Sequence, residues 1–327
     1  MSGLVFEKAL KASRAYSLIQ NDIKSGLSHA YIISSGDDDV VDEFFTLAAC
    51  AIHCENSNSA CLECPECRKI LHGNHSDVFH INVKREKIKV EDVNNMLSSV
   101  YIKALSERKL YFIHRADLMN AQAQNKLLKT FEEPPANVTV FLGVANESAM
   151  LDTVKSRART IHIDVFDKET VYSAMLALGC DGELSAVAAA CSEGMLGKAR
   201  KIATSPEYAE LYRSALNLMR GLNRSSDVLK YDGSVANENN IGAFLDVLSI
   251  IIRDMLVIQS RPEMLLSKHV AGEIAALAEG YSPLALAKIL AIINDTRRQL
   301  SLNVGALSAI DNLLFSILEV RHKCPKS

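Results

Sequence analysis

No stretch of about 18 apolar residues in this chain is free of charged side chains, which is what a membrane-spanning helix would need. The most apolar stretch, Ile241 to Ile258, carries Asp246, Arg253 and Asp254. The N-terminus (MSGLVFEKALKASR) lacks an apolar core segment and has Glu7 early, so no secretory signal is expected. An excess of one charge is lacking too: 36 Lys and Arg stand against 39 Asp and Glu, a net charge of −3. That balance excludes a strongly basic nucleic-acid coat and a polybasic membrane binder, though not a local basic patch. Tandem repeats and low-complexity tracts are absent. What is there is a chain of 327 residues, 48% hydrophobic and 23% charged. This is an ordinary globular balance. The length suits two domains or three small ones, with enough core to fold without staples. A cytoplasmic location is expected. In that compartment the eight cysteines read as thiols or metal ligands rather than disulfides.

The first half alternates strand-like and helix-like segments. Strands are expected at His29–Ser34, Val78–Val83, Leu110–Ile113, Asn137–Ala145 and Thr160–Val165. Helical spacing of apolar residues runs through Phe44–His53, from Val90 to Ala104, and through Leu118–Glu132, where Pro134 and Pro135 stop it. Apolar strands separated by helices imply a parallel sheet covered on both faces. Past Phe166 the strand signal ends. Residues 168–204 read as three short helices punctuated by Gly179, Gly182, Gly194 and Gly197, and residues 207–322 read as wholly helical. Leu222–Asn240 is polar and turn-rich, a loop or link, and Ser282-Pro283 marks a helix start.

Cysteine carries the strongest chemical signal. Cys61, Cys64 and Cys67 form C-x2-C-x2-C, and Cys54 precedes them, so four of the eight fall within fourteen residues. A Cys pair two residues apart can wrap one edge of a tetrahedron, and four thiolates close the shell of a structural zinc ion. Such an ion would fold a loop too polar to have its own core. The bland alternatives are a cluster of free thiols or a redox pair, and a redox pair needs no third and fourth Cys. Cys50, one turn before Cys54, is the rival first ligand, but its apolar surroundings favour the core. His53, His72 and His75 are redundant once four thiolates are in place.

The strand HAYIIS followed by Ser35-Gly36 and a helix is the layout of a phosphate-binding loop. A working loop needs G-x4-G-K-[ST]. Here Gly36 remains, but Val41, Asp42 and Glu43 stand where glycine, lysine and hydroxyl belong. Five carboxylates occupy the eight positions from Gly36 to Glu43, and against a triphosphate each would repel by at least about 1 kcal/mol. Nucleotide binding is therefore not expected. The plain alternative is an acidic helix start favoured by the helix dipole. After LYFI, where an ATPase of this layout would place Asp-Glu, stand His114 and Arg115. His114 has no evident metal or nucleophile partner and is read as structural.

Together these segments resemble the delta-prime family of bacterial DNA polymerase III clamp-loader subunits. The resemblance rests on Ser28-His29-Ala30-Tyr31, the four-Cys insert, and Gly73-Asn74-His75-Ser76-Asp77-Val78. It continues through Ala116-Asp117-Leu118-Met119, the run Asn125-Lys126-Leu127-Leu128-Lys129-Thr130-Phe131-Glu132-Glu133-Pro134-Pro135, and Thr153-Val154-Lys155-Ser156-Arg157. The C-terminal 120 residues match only in being helical. The resemblance implies an α/β chain: an AAA+-type parallel-sheet domain over residues 1–166 with a zinc-binding insert at about 54–67. A small helical lid over 167–206 and an all-α collar over 207–327 would follow.

The family also implies a subunit with no activity alone, a stator that lends an arginine to a neighbour's ATP. Ser156 and Arg157 fall at the family's Ser-Arg-Cys motif, with Ala158 in place of Cys and Arg159 as the rival finger. A fixed guanidinium fork suits the spreading charge of phosphoryl transfer. Expected partners are a motor ATPase subunit and a delta-type subunit in a hetero-pentamer, with the sliding clamp reached indirectly. Primed DNA would be met through its backbone, since no basic patch interleaved with aromatics is present. Zinc, held by Cys54, Cys61, Cys64 and Cys67, is the expected cofactor, and ATP is not. Two readings compete: a motor-type ATPase with a variant loop, and a zinc-stabilised scaffold outside replication.

Overall fold

A computed structural model describes residues 4–324, other than 58, 229–234, 238–239, 268–269 and 303. The chain divides into two compact units: residues 1–174 with 194–198, and residues 175–193 with 199–327.

The first unit opens with two helices that the sequence pattern did not announce, α1 (Glu7–Ala12) and α2 (Arg14–Ser25). There follow β1 (Ala30–Ser34), α3 (Asp38–His53), α4 (Pro65–Leu71), β2 (Val78–Ile81), α5 (Val90–Val100) and β3 (Lys109–Ile113). A 3-10 turn at Ala116–Leu118 shortens the next helix, so α6 spans Ala121–Glu132 rather than starting at Leu118. Then come β4 (Val138–Val144), α7 (Asp152–Lys155) and β5 (Arg159–His162). The five strands form one sheet in the order β2-β3-β4-β1-β5, every pair parallel. β3 and β4 are buried along their whole length. The continuous apolar runs follow from this, because a central strand with helices on both faces has no solvent side.

Register explains one layer of the core. Tyr31 pairs with Phe141, Phe141 with Phe112, and Phe112 with His80, so four rings stand in one row across β1, β4, β3 and β2. Their centroids are 4.9, 4.9 and 5.2 Å apart, each pair stacked. Phe45 of α3 covers the row, 4.8 Å from Phe112. Offset ring pairs of this kind contribute about 0.5–1.5 kcal/mol each beyond their burial. The opposite face of the sheet packs Ile32, Tyr111, Val140 and Leu142 against Val93, Met96, Leu127 and Phe131 of α5 and α6. The Gly73–Val78 segment also has a structural job. Asp77 is buried, and its Oδ2 accepts from the backbone N–H groups of Leu105 and Ser106 at 2.9 and 2.6 Å.

The second unit is helical, as expected. α8 (Lys168–Ala177), which straddles the division, is followed by α9 (Gly182–Cys191) and α10 (Leu196–Thr204), matching the three short helices read from the sequence. Next are α11 (Pro206–Gly221), α12 (Ser225–Val228), α13 (Ile241–Ile258), α14 (Ala271–Ala278), α15 (Pro283–Ser301) and α16 (Ala306–Lys323). Within the expected loop 222–240, α12 forms a short turn, while 229–234 and 238–239 lie outside the described residues. α13 is the buried spine, and its two acids are satisfied internally. Arg297 reaches Asp246 at 2.5 Å, and the Ser267 N–H donates to Asp254 at 2.8 Å. Among the described residues no single helix is long and apolar enough to cross a membrane.

α3 sits close to the sheet because β4 carries Gly143. A Cβ there would meet Val41 Cγ1 at 2.9 Å and Phe45 Cζ at 3.0 Å. Gly143→Ala should therefore cost about 1–3 kcal/mol by overpacking, read as a lower urea midpoint. An unchanged midpoint would show that α3 can give way.

Candidate functional site

The turn from β1 into α3 places the five carboxylates at the C-terminal edge of a parallel sheet, where open α/β folds seat ligands. Each one meets a donor or a cation from this same chain. Asp37 is the N-cap of α3: its side chain accepts from the Asp39 N–H at 3.2 Å and from the Gly197 N–H at 2.8 Å. Burial pushes its carboxyl above the usual range, while the Gly197 and Val40 amides pull it back. Asp38 faces Arg115 at 3.3 Å and Arg85 at 3.7 Å. Asp39 lies 3.7 Å from Arg85. Asp42, in the lysine position of a phosphate loop, holds Arg85 at 2.5 Å and His114 Nδ1 at 2.6 Å. Glu43 accepts from the Phe6 N–H at 2.6 Å and so caps α1.

His114, read from sequence as structural with no metal or nucleophile partner, has two hydrogen-bond partners. Its Nδ1 faces Asp42 and its Nε2 faces His80 Nδ1 at 2.9 Å. A proton on Nδ1 donated to the carboxylate and a His80 Nδ1–H donated to Nε2 would satisfy both contacts together. Sequence reasoning missed this because Asp42 and His114 lie 72 positions apart. It also missed Arg85, on the loop after β2. Arg115 adopts a left-handed backbone (φ 51°). It clamps Asp117 with two contacts of 3.1 and 3.0 Å while reaching Asp38. The arrangement is a pocket closed by its own ion pairs, and it offers no unpaired cation to a phosphate.

The cysteines gather as a second centre. The Sγ atoms of Cys54, Cys61, Cys64 and Cys67 all lie within 4.8 Å of one another, and those of Cys61 and Cys67 are 3.9 Å apart. A tetrahedral ion with metal–sulfur bonds of about 2.3 Å has edges of about 3.8 Å, so the donor set fits a metal such as zinc. Backbone amides already face these sulfurs. The Cys64 N–H donates to Cys61 Sγ at 3.3 Å, and the Cys67 N–H to Cys64 Sγ at 3.5 Å as the cap of α4. Burial opposes ionisation of Cys54, but amides of Cys61, Asn56 and Ser57 outweigh it and bring this thiol down to about 6. Burial and the neighbouring Cys50 push Cys67 up instead. A bound cation would reverse that order, because it favours the thiolate. Cys50 is fully buried and stays outside the four, its thiol at 3.8 Å from the Cys67 carbonyl and raised to about 12 by burial. Part of the expected irregular loop is ordered as α4.

Ser156 and Arg157 follow α7. Arg157 is about one-third exposed. Its Nη2 pairs with Glu132 Oε1 at 2.8 Å, and its Nη1 donates to the Thr153 carbonyl at 3.0 Å. Arg159 differs. It pairs with Asp22, whose carboxylate is 4% exposed and also accepts from Tyr31 Oη at 2.8 Å. Arg159 thus ties β5 to α2.

The chain has relatives among known proteins. Residues 11–167 match the family described as DNA polymerase III, delta subunit. The delta-prime subunit of DNA polymerase III from Bacillus subtilis (strain 168) is 23% identical over 316 residues, 94% of this chain and 96% of that protein. Along nearly its whole length the chain is thus similar to a delta-prime subunit of DNA polymerase III. A tau subunit of DNA polymerase III from Salmonella typhimurium is 31% identical over 148 residues, 44% of this chain. The chain spans only 23% of that relative's length. Among solved structures, a DNA polymerase III gamma-subunit-related protein from Thermotoga maritima aligns over 94% of this chain and 99% of its own, at 17% identity and a TM-score of 0.43.

Arg85 faces three of the five carboxylates, so Arg85→Ala should leave Asp38, Asp39 and Asp42 repelling one another. The expected loss is about 1 kcal/mol in urea unfolding at low salt, shrinking in 1 M salt as screening weakens the repulsion. A loss that does not change with salt would mean that Arg85 acts through packing instead.

Proposed function

We propose that this chain is a clamp-loader subunit that binds no nucleotide itself and completes a neighbouring subunit's ATP site with Arg157. The observation that carries this reading is the closed pocket. Asp42 replaces the phosphate-loop lysine and is held by Arg85 and His114, so charge in the pocket is already balanced without a ligand. Of the two arginines, Arg157 suits an outward role. Its partners are the half-exposed Glu132 and a backbone carbonyl, which a phosphate can outcompete. Arg159 is committed to a buried carboxylate. A guanidinium fork presented to a transferring phosphoryl group stabilises charge spread over its oxygens.

In this reading the sheet domain (1–166), lid (167–206) and collar (207–327) keep the roles the resemblance implies. The partners are a motor ATPase subunit and a delta-type subunit in a hetero-pentamer. The sliding clamp is reached through them, and primed DNA is met by backbone contacts in the cytoplasm. The metal is a single structural zinc ion, since four thiolates leave no open position for chemistry.

Three measurements test these proposals. Arg157→Ala should assemble normally yet slow ATP turnover at the site it serves by about 10³-fold or more. Titration of the lone chain with Mg-ATP should give no saturable heat. An unchanged rate would remove the finger, and micromolar affinity would favour a motor-type ATPase. Metal analysis of the purified chain should find about one zinc, lost in Cys64→Ser together with thermal stability. A metal-free chain that melts cooperatively at the same temperature would remove the zinc.

A further inference from the structure

The nucleotide-pocket reading leaves Asp37 unexplained, because a helix start needs a cap but not one that also binds a distant segment. Asp37 is 8% exposed. Its Oδ1 accepts from the Asp39 N–H at the start of α3, and its Oδ2 from the Gly197 N–H in the first turn of α10, 160 positions away. Two helix N-termini thus converge on one anion, the arrangement that elsewhere receives a phosphate. The approach is close. A Cβ on Gly197 would lie 2.4 Å from Asp37 Oδ1 and 2.7 Å from Asp39 Oδ2, so only glycine fits. A second tether lies nearby: the Phe166 N–H donates to the Gly194 carbonyl at 2.9 Å. A Cβ on Gly194 would meet the Phe166 oxygen at 2.4 Å, and Gly194 has φ +81°. These contacts explain why residues 194–198 pack with the first unit and why glycines recur there.

We propose that the Asp37 carboxylate is a built-in substitute for a nucleotide phosphate, holding the segment 194–198 against the sheet domain permanently. The proposal rests on reading the β1–α3 turn as a nucleotide pocket and adds what fills it. In a pocket that binds ATP, the anion joining two helix starts arrives and leaves with the ligand. Here it is part of the backbone's own cap. The surrounding carboxylates engage Arg85, Arg115 and His114 and outnumber the two arginines, so no second anion is needed and none is welcome. Docking of 194–198 is then independent of nucleotide state.

The test is hydrogen–deuterium exchange on the full chain, following peptides that cover 194–198. Asp37→Ala should speed exchange there by about tenfold, the weight of one charge-assisted hydrogen bond, while β4 peptides stay protected. Inorganic phosphate should slow it again in the variant, relative to chloride at equal ionic strength, and leave the wild type unchanged. Asp37→Asn, which keeps the shape and one acceptor, should exchange at an intermediate rate and serves if the alanine variant does not fold. Unchanged exchange at 194–198 in both variants would overturn the tether. Phosphate protection that is absent, or equal in wild type and variant, would overturn the substitution for phosphate. Mg-ATP binding by the wild-type chain would instead sink the nucleotide-pocket reading, whatever the exchange data show.

Discussion

Balance of negative charge at one turn organises the first unit. Like charges about 4 Å apart near a protein surface repel by roughly 4 kcal/mol, so Asp37, Asp38, Asp39, Asp42 and Glu43 can share a turn only if cations or amides separate them. Each partner comes from a different part of the chain. Glu43 draws in the start of α1, Asp37 the segment at Gly197, and Asp38 and Asp42 the loop of Arg85 and the end of β3. The turn is thus a junction of four segments. A helix dipole alone offers about 0.3–1 kcal/mol per carboxylate, too little to offset five mutual repulsions. The acidic helix start is a sound description, but it is incomplete without the arginines.

Much of this was legible from sequence. Five strands, the helices between them and the all-α second half follow from apolar periodicity, because burial on two faces writes a continuous run and burial on one face writes a stripe. The carboxylate in the lysine position of a phosphate loop, Asp42, was legible too. The partners were not. Arg85 and His114 reach Asp42 through the order of strands in the sheet, and no local pattern encodes that β2 and β3 lie on the same side of β1. α1 and α2 were missed because their apolar residues are few. Their order comes from burying Phe6, Leu10, Tyr16 and Ile19 and from the Glu43 cap.

The two arginines near the end of α7 show what burial adds to a motif. By sequence they are near neighbours with equal claims. In the fold, Arg159 is paired with a carboxylate that also holds the Tyr31 hydroxyl, so moving it would leave a buried charge unpaired, a loss of several kcal/mol. Arg157 lies on a partly exposed ion pair whose net worth is about 0–1 kcal/mol. The proposed finger would have to be cheap to release, and of the two arginines Arg157 has the more exposed carboxylate partner.

Under the proposed role, assisting hydrolysis without performing it, a subunit needs a pocket that does not change with the cycle around it. Deleting the lysine alone would leave an empty cleft lined by backbone N–H groups, able to admit stray anions and to relax when they leave. Filling the cleft with carboxylates and then pairing each of them removes both freedoms. The cost is burial of Asp37 against its preference for water, seen in its raised carboxyl. That cost is consistent with a residue kept for position rather than for net stability, since replacing a buried charge with an apolar group is often neutral or better for stability. The four-cysteine insert, whose donor set fits a metal, obeys the same logic on a smaller scale. A polar loop with no core of its own is held by a closed shell of four sulfurs, and a closed shell, like a paired pocket, has one arrangement.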